Sequence, residues 1–109
     1  MAYDEDLAQR IRAELGGHPG LQEKKMFGGI AFLIRGNMAC GVNGDNLIIR
    51  VGPEGHQEAL AQPHTRPFDM TGRPMSGWIV VTPEGAASQE DLKRWVGQGA
   101  AFAESLPAK

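Results

Sequence analysis

A chain of 109 residues with 41% hydrophobic content has room for one core, and residues 1–109 are expected to form a single domain. Net charge is −2 and the pI is 5.9, which argues against a nucleic-acid binder, because phosphate neutralisation draws on a basic excess. Cys40 is the one cysteine, so an internal disulfide is excluded and a reducing, cytoplasmic setting is expected. The acidic start from Met1 to Asp6 lacks the apolar stretch of a secretion signal, and no apolar run reaches membrane-spanning length.

Asp4 or Asp6 can cap a first helix in which Leu7, Ile11 and Leu15 form one apolar stripe, ended by Gly16-Gly17. Residues 16–20 then link to the sheet, with His18 as a solvated loop residue. From Lys24 to Val51, apolar runs are separated by Gly36-Asn37 and by Asn43-Gly44-Asp45, residues that tolerate positive φ. This punctuation predicts a three-stranded antiparallel meander with tight hairpins. A two-residue turn at Gly36-Asn37 sets position 33 opposite 40 and position 31 opposite 42.

Alternation then assigns Ala31, Leu33, Met38, Cys40, Val42, Leu47, Ile49 and Val51 to one face, the expected floor for the helices. The other face receives Ile30, Phe32, Ile34, Ala39, Gly41, Ile48 and Arg50. Its apolar part has two readings: cover by a helix or the chain's own tail, or contact with a partner or a second copy. A bulge at Gly28-Gly29 would flip Met26 and Phe27 relative to the rest.

Beyond Val51, Gly52-Pro53-Glu54 opens a short helix with proline at its first position, running to Ala61 with His56 exposed in its first turn. Pro63, Pro67 and Pro74 confine the next segment to loop or edge strand, anchored by Phe68, Met70 and Met75. Residues 77–82 are β-branched and aromatic and predict a strand. Ser88 caps a final helix whose Leu92, Trp95, Val96, Phe102, Ala103 and Leu106 recur at helical spacing and turn inward.

No catalytic motif stands out. Cys40, His56, His64 and Asp69 lack the spacing of metal ligands, so neither a metal nor a cofactor is expected. Cys40 falls on an apolar face, where a thiol behaves as a small hydrophobe with a raised pKa. His64, Asp69 and Arg66, with Arg73 and Cys40 nearby, offer an alternative reading as a small-ligand or acid–base pocket, though without a nucleophile or an oxyanion nest. The favoured reading is a non-enzymatic contact surface of Phe32, Ile34, Ile48 and Arg50, edged by Arg66 and Arg73 and meeting a protein partner or a second copy.

Lys24-Lys25-Met26-Phe27-Gly28-Gly29-Ile30-Ala31-Phe32, followed by Gly36-Asn37-Met38 and Gly41-Val42, resembles the opening of the TfoX N-terminal domain family. Arg66-Pro67-Phe68, Thr71-Gly72-Arg73-Pro74-Met75 and Gly77-Trp78 resemble the short stand-alone bacterial members. The resemblance implies a two-layer α+β fold, ordered α-β-β-β-α-β-β-α, with helices on one face of an antiparallel sheet of about five strands. It also implies a regulatory protein linked to transcription and DNA-uptake competence. The C-terminal helical domain of full-length members is not expected in this chain, and the family supplies no active-site residues to carry over.

Overall fold

The Asp4 carboxylate accepts from the N–H groups of Asp6 and Leu7 at 2.9 and 3.2 Å, satisfying donors that a helix start leaves free. Helix α1 (Glu5–Leu15) begins there. The structure is a computed structural model that describes residues 3–26, 29–69 and 74–108. After α1 come strands β1 (Leu21–Met26), β2 (Gly29–Ile34), β3 (Asn37–Asn43) and β4 (Asn46–Arg50). Helix α2 (His56–Leu60), strands β5 (Thr65–Asp69) and β6 (Pro74–Val81), a 3-10 turn (Pro83–Ala86) and helix α3 (Gln89–Ser105) complete the chain. Ser88 caps α3 by accepting from the Asp91 N–H at 3.0 Å.

The strands form one antiparallel sheet in the order β1-β2-β3-β4-β6-β5. The α+β class and the order of elements are as the sequence predicts. There are six strands because the stretch read as one first strand is two, β1 and β2, paired with Met26 opposite Gly29. The bulge expected at Gly28-Gly29 falls partly outside the described residues, with Gly28. Helix α2 starts later than expected, and Pro53 lies in the turn before it.

The helices and the 3-10 turn send Leu7, Ile11, Ala59, Ala86, Leu92 and Trp95 into one cluster with one face of the sheet. Among the described elements, the opposite face carries no helix. α3 lies close against β3: a Cβ on Gly99 would stand 2.3 Å from the Ala39 carbonyl oxygen, so only glycine fits there. An Arg12–Glu23 ion pair at 2.8 Å ties α1 to β1 on the helix side.

The strand register corrects the facing expected for β2. The reversal uses Arg35 and Gly36, at φ 52° and 85°, so Ile34 rather than Arg35 opens the pairing, opposite Asn37. Positive φ at both central residues is the hairpin geometry that follows the sheet's own twist. Leu33 then pairs with Met38 and Phe32 with Cys40, which leaves Ala39 as the extra residue of a bulge. The outcome is a one-residue shift of β2, and such a shift exchanges its faces.

Ile30, Phe32 and Ile34 therefore lie under the helices, at 4%, 0% and 0% exposure. The physical reason is the larger apolar set. Burying two isoleucines and a phenylalanine removes more area from water than burying alanine and leucine, at about 25 cal/mol per Å². Strands β3 and β4 keep the expected register: Cys40, Val42, Leu47 and Ile49 are in the core. Asn37, expected in the turn, is a buried strand residue whose amide donates to the Pro107 carbonyl at 2.9 Å.

Candidate interaction surface on the open sheet face

The side of the sheet away from the helices is built by register. One cross-strand row runs Arg66, Val80, Ile48, Gly41, Ala31 and Lys24, from β5 to β1. Beside it Trp78 faces Arg50, and Leu33 lies between Met38 and Gln22. The middle of this face is apolar and small. A Cβ on Gly41 would meet the Met38 methyl at 3.0 Å, so the Met38 side chain folds over that glycine. Ala31, Ile48 and Val80 are buried yet stand outside the helix-side core.

The margins are cationic. Lys24 and Arg66 are exposed at opposite ends of the row, about 24 Å apart at the usual strand spacing, and Arg50 lies between. None of the side chains named on this face is acidic. The acids gather instead on the helices: Glu5, Asp6 and Glu14 on α1, Glu58 on α2, and Glu90, Asp91 and Glu104 on α3. Glu23, opposite Phe32, is engaged by Arg12 on the helix side.

Arg50 is the best-defined cation of this face. Its guanidinium carbon lies 5.2 Å from the centroid of the Trp78 ring and 5.3 Å from that of Phe102 on α3. Phe68 backs Trp78 with ring centroids 6.2 Å apart. Phe102 reaches the cluster because residue 52 is glycine, at φ 84°; a Cβ there would come within 2.4 Å of the ring. The Gly77 carbonyl accepts from the N–H groups of Val51 and Gly52 at 2.8 and 3.0 Å, fixing β4 against β6. His56 is half-buried rather than exposed, and its Nδ1 accepts from the Gly77 N–H at 3.1 Å. That bond places the proton of a neutral ring on Nε2.

Of the contact residues read from sequence, Ile48, Arg50 and Arg66 are on this face. Phe32 and Ile34 are not: both are fully buried under the helices, and Ala31, Leu33 and Met38 take their places. Arg73 lies outside the described residues. The alternative pocket does not assemble around Cys40, which is wholly buried on the helix side, its thiol pushed up to about 12 by loss of hydration. His64, at φ 65°, is exposed, and its carbonyl accepts from the Thr82 N–H at 2.9 Å. Among the described residues no group of three His, Cys, Asp or Glu side chains is placed to hold a metal ion. A cavity of about 50 Å³ beside Asp4, Leu7 and Arg10 has room for little more than water.

Sequence reasoning missed the Arg50–Trp78–Phe102–Phe68 cluster. Its signal was present as Gly52 and Gly77-Trp78, glycines beside an aromatic strand residue, but the pairing of β4 with β6 is long-range. Among the described residues no helix is long and apolar enough to cross a membrane. Comparison with curated proteins finds no match. The model of the TfoX N-terminal domain matches residues 13–103, which contain both sequence motifs and all six strands of the sheet, and the chain belongs to that family.

Proposed function

We propose that this protein is a non-enzymatic regulatory module that captures an acidic segment of another protein on the open face of its sheet. One observation carries the reading: a face that, among the described residues, carries no helix and no acid and whose apolar middle is bordered by Lys24, Arg50 and Arg66. Apolar area supplies attraction, and a rim of one charge selects and steers the partner. The span from Lys24 to Arg66 fits an extended segment of about seven residues. Apolar residues of such a segment would rest on the half-exposed Leu33, Met38 and Trp78, with carboxylates reaching the rim.

A second copy of this chain is the weaker occupant for this face. Two-fold pairing brings the same patch against itself, so cations meet cations in any such arrangement. Nucleic acid is disfavoured as well: an overall charge of −2 opposes a polyanion, and among the described residues the strands place few rings on this face, Trp78 and Phe68.

The test is titration of the labelled protein with a short synthetic peptide of alternating leucine and glutamate, followed by amide NMR. Saturable shifts confined to Lys24, Ala31, Leu33, Gly41, Ile48 and Val80, weakened by added salt, are expected. The double variant Lys24→Glu/Arg66→Glu should lose binding while keeping its unfolding midpoint. Shifts that map to α1 and α3, or preference for a single-stranded oligonucleotide over the peptide, would contradict the reading.

A further inference from the structure

We infer that Arg50 is the anchor of an oxyanion subsite on this face, a carboxylate or phosphate position that fixes the register of the bound segment; the inference rests on the reading above. The guanidinium carbon lies over the rings of Trp78 and Phe102, 5.2 and 5.3 Å from their centroids, but rings do not satisfy its N–H donors. Those donors point from the edge of the plane. Among the described residues no carboxylate or carbonyl takes them, in contrast to Arg12, held by Glu23, and Arg10, which donates to the Ala86 carbonyl at 2.8 Å. Arg94 also lies over a ring, 4.7 Å from that of Trp95, yet it donates to Gln62 at 2.7 Å and pairs with Asp91 at 3.6 Å.

Arg50 is therefore a cation seated against two aromatic rings, and among the described residues its planar fork has no hydrogen-bond acceptor. That arrangement is pre-organised for an oxyanion, which takes two parallel N–H bonds from a guanidinium. Little side-chain freedom remains to be lost on binding, because Gly52 seats Phe102 and the Gly77 carbonyl locks Val51 and Gly52 beside it. Trp78 and Phe68 are half-exposed beside Arg50, so the ligand oxyanion should have an apolar neighbour. Stacking also joins α3 to the sheet. A purely structural role predicts no response of the fork to any ligand.

The experiment follows the Arg50 Nε–H and Trp78 indole N–H resonances during titration with the alternating leucine–glutamate peptide. A competing titration with inorganic phosphate at constant ionic strength forms the second arm. Both resonances should move saturably. Arg50→Lys, which keeps the charge but loses the fork, should weaken peptide binding about tenfold with an unchanged unfolding curve. Displacement of the peptide from Arg50 by phosphate assigns the subsite to phosphate esters as well; failure to displace it assigns the subsite to carboxylates. If Ala31, Leu33 and Val80 respond while Arg50 does not, and Arg50→Lys binds like the parent, the subsite is wrong and the face reading stands. If nothing on this face responds to the peptide but phosphate moves Arg50, the subsite stands and the face reading fails. If neither probe has any effect, both fail.

Discussion

The two faces of this sheet share the same strands and differ in what lies over them. On the helix side Phe32, Ile34, Cys40, Leu47, Ile49 and Ile79 are sealed by α1 and α3, and each is fully buried. On the other side the middle positions are smaller, the flanking Leu33, Met38 and Trp78 stay half-exposed, and cations rather than acids mark the ends. Stability is concentrated on the first face, and the proposed recognition uses the second. The clearest contrast is within β2, where Phe32 and Leu33 are adjacent in the chain and serve opposite faces.

The largest effects should come from the sealed face. Phe32→Ala is expected to cost about 3–5 kcal/mol in chemical denaturation, the range for truncating a buried aromatic side chain. Gly99→Ala should cost about 1–3 kcal/mol, because its new Cβ meets the backbone of β3 and α3 must move outward. A loss below 1 kcal/mol for both, as a rough threshold, would mean that the helix layer is looser than its contacts indicate.

Cys40 gives a smaller effect that depends on pH. Burial raises its thiol from 9.0 to about 12, so below pH 9.0 folded and unfolded chains both hold the proton. Between those values the unfolded chain releases the proton and the folded chain keeps it, so this contribution to stability falls as pH rises through the window. Denaturation of the parent and Cys40→Ala across that range should show the extra decline in the parent alone. Equal slopes would place the thiol in contact with water.

Open-face substitutions should disturb stability least. Arg66→Ala is expected to change stability by no more than about 0.5 kcal/mol, as for an exposed residue, while lowering affinity for the acidic peptide and reducing its salt dependence. Comparison of peptide titrations at low and moderate salt checks this. An unchanged salt dependence would remove Arg66 from the rim.

Much of the fold was legible because its signals are local. The Asp4 and Ser88 caps, the spacing of Leu7, Ile11 and Leu15, and the second hairpin all follow from neighbouring residues. Cys40 was placed in the core correctly for the same reason. The facing of β2 was not legible, since Arg35-Gly36 and Gly36-Asn37 are both two-residue turns on paper, and one step between them exchanges every side chain. Choosing between them requires the helix layer that buries Ile30, Phe32 and Ile34, which is tertiary information. The candidate surface was accordingly half-read: Ile48, Arg50 and Arg66 were found from the sequence, whereas Leu33 and Met38 were assigned to the core floor. The aromatic seat of Arg50 joins three distant segments, and no local pattern marks it.

Placing aspartate at each of the two adjacent β2 positions tests the division of labour most directly. Thermal unfolding and peptide titration are measured on both variants. Phe32→Asp should fail to fold, because a carboxylate would be buried among apolar side chains, whereas Leu33→Asp should fold normally and lose the acidic peptide. A folded Phe32→Asp protein, or a Leu33→Asp protein that binds the peptide as tightly as the parent, would contradict the assignment of the two faces.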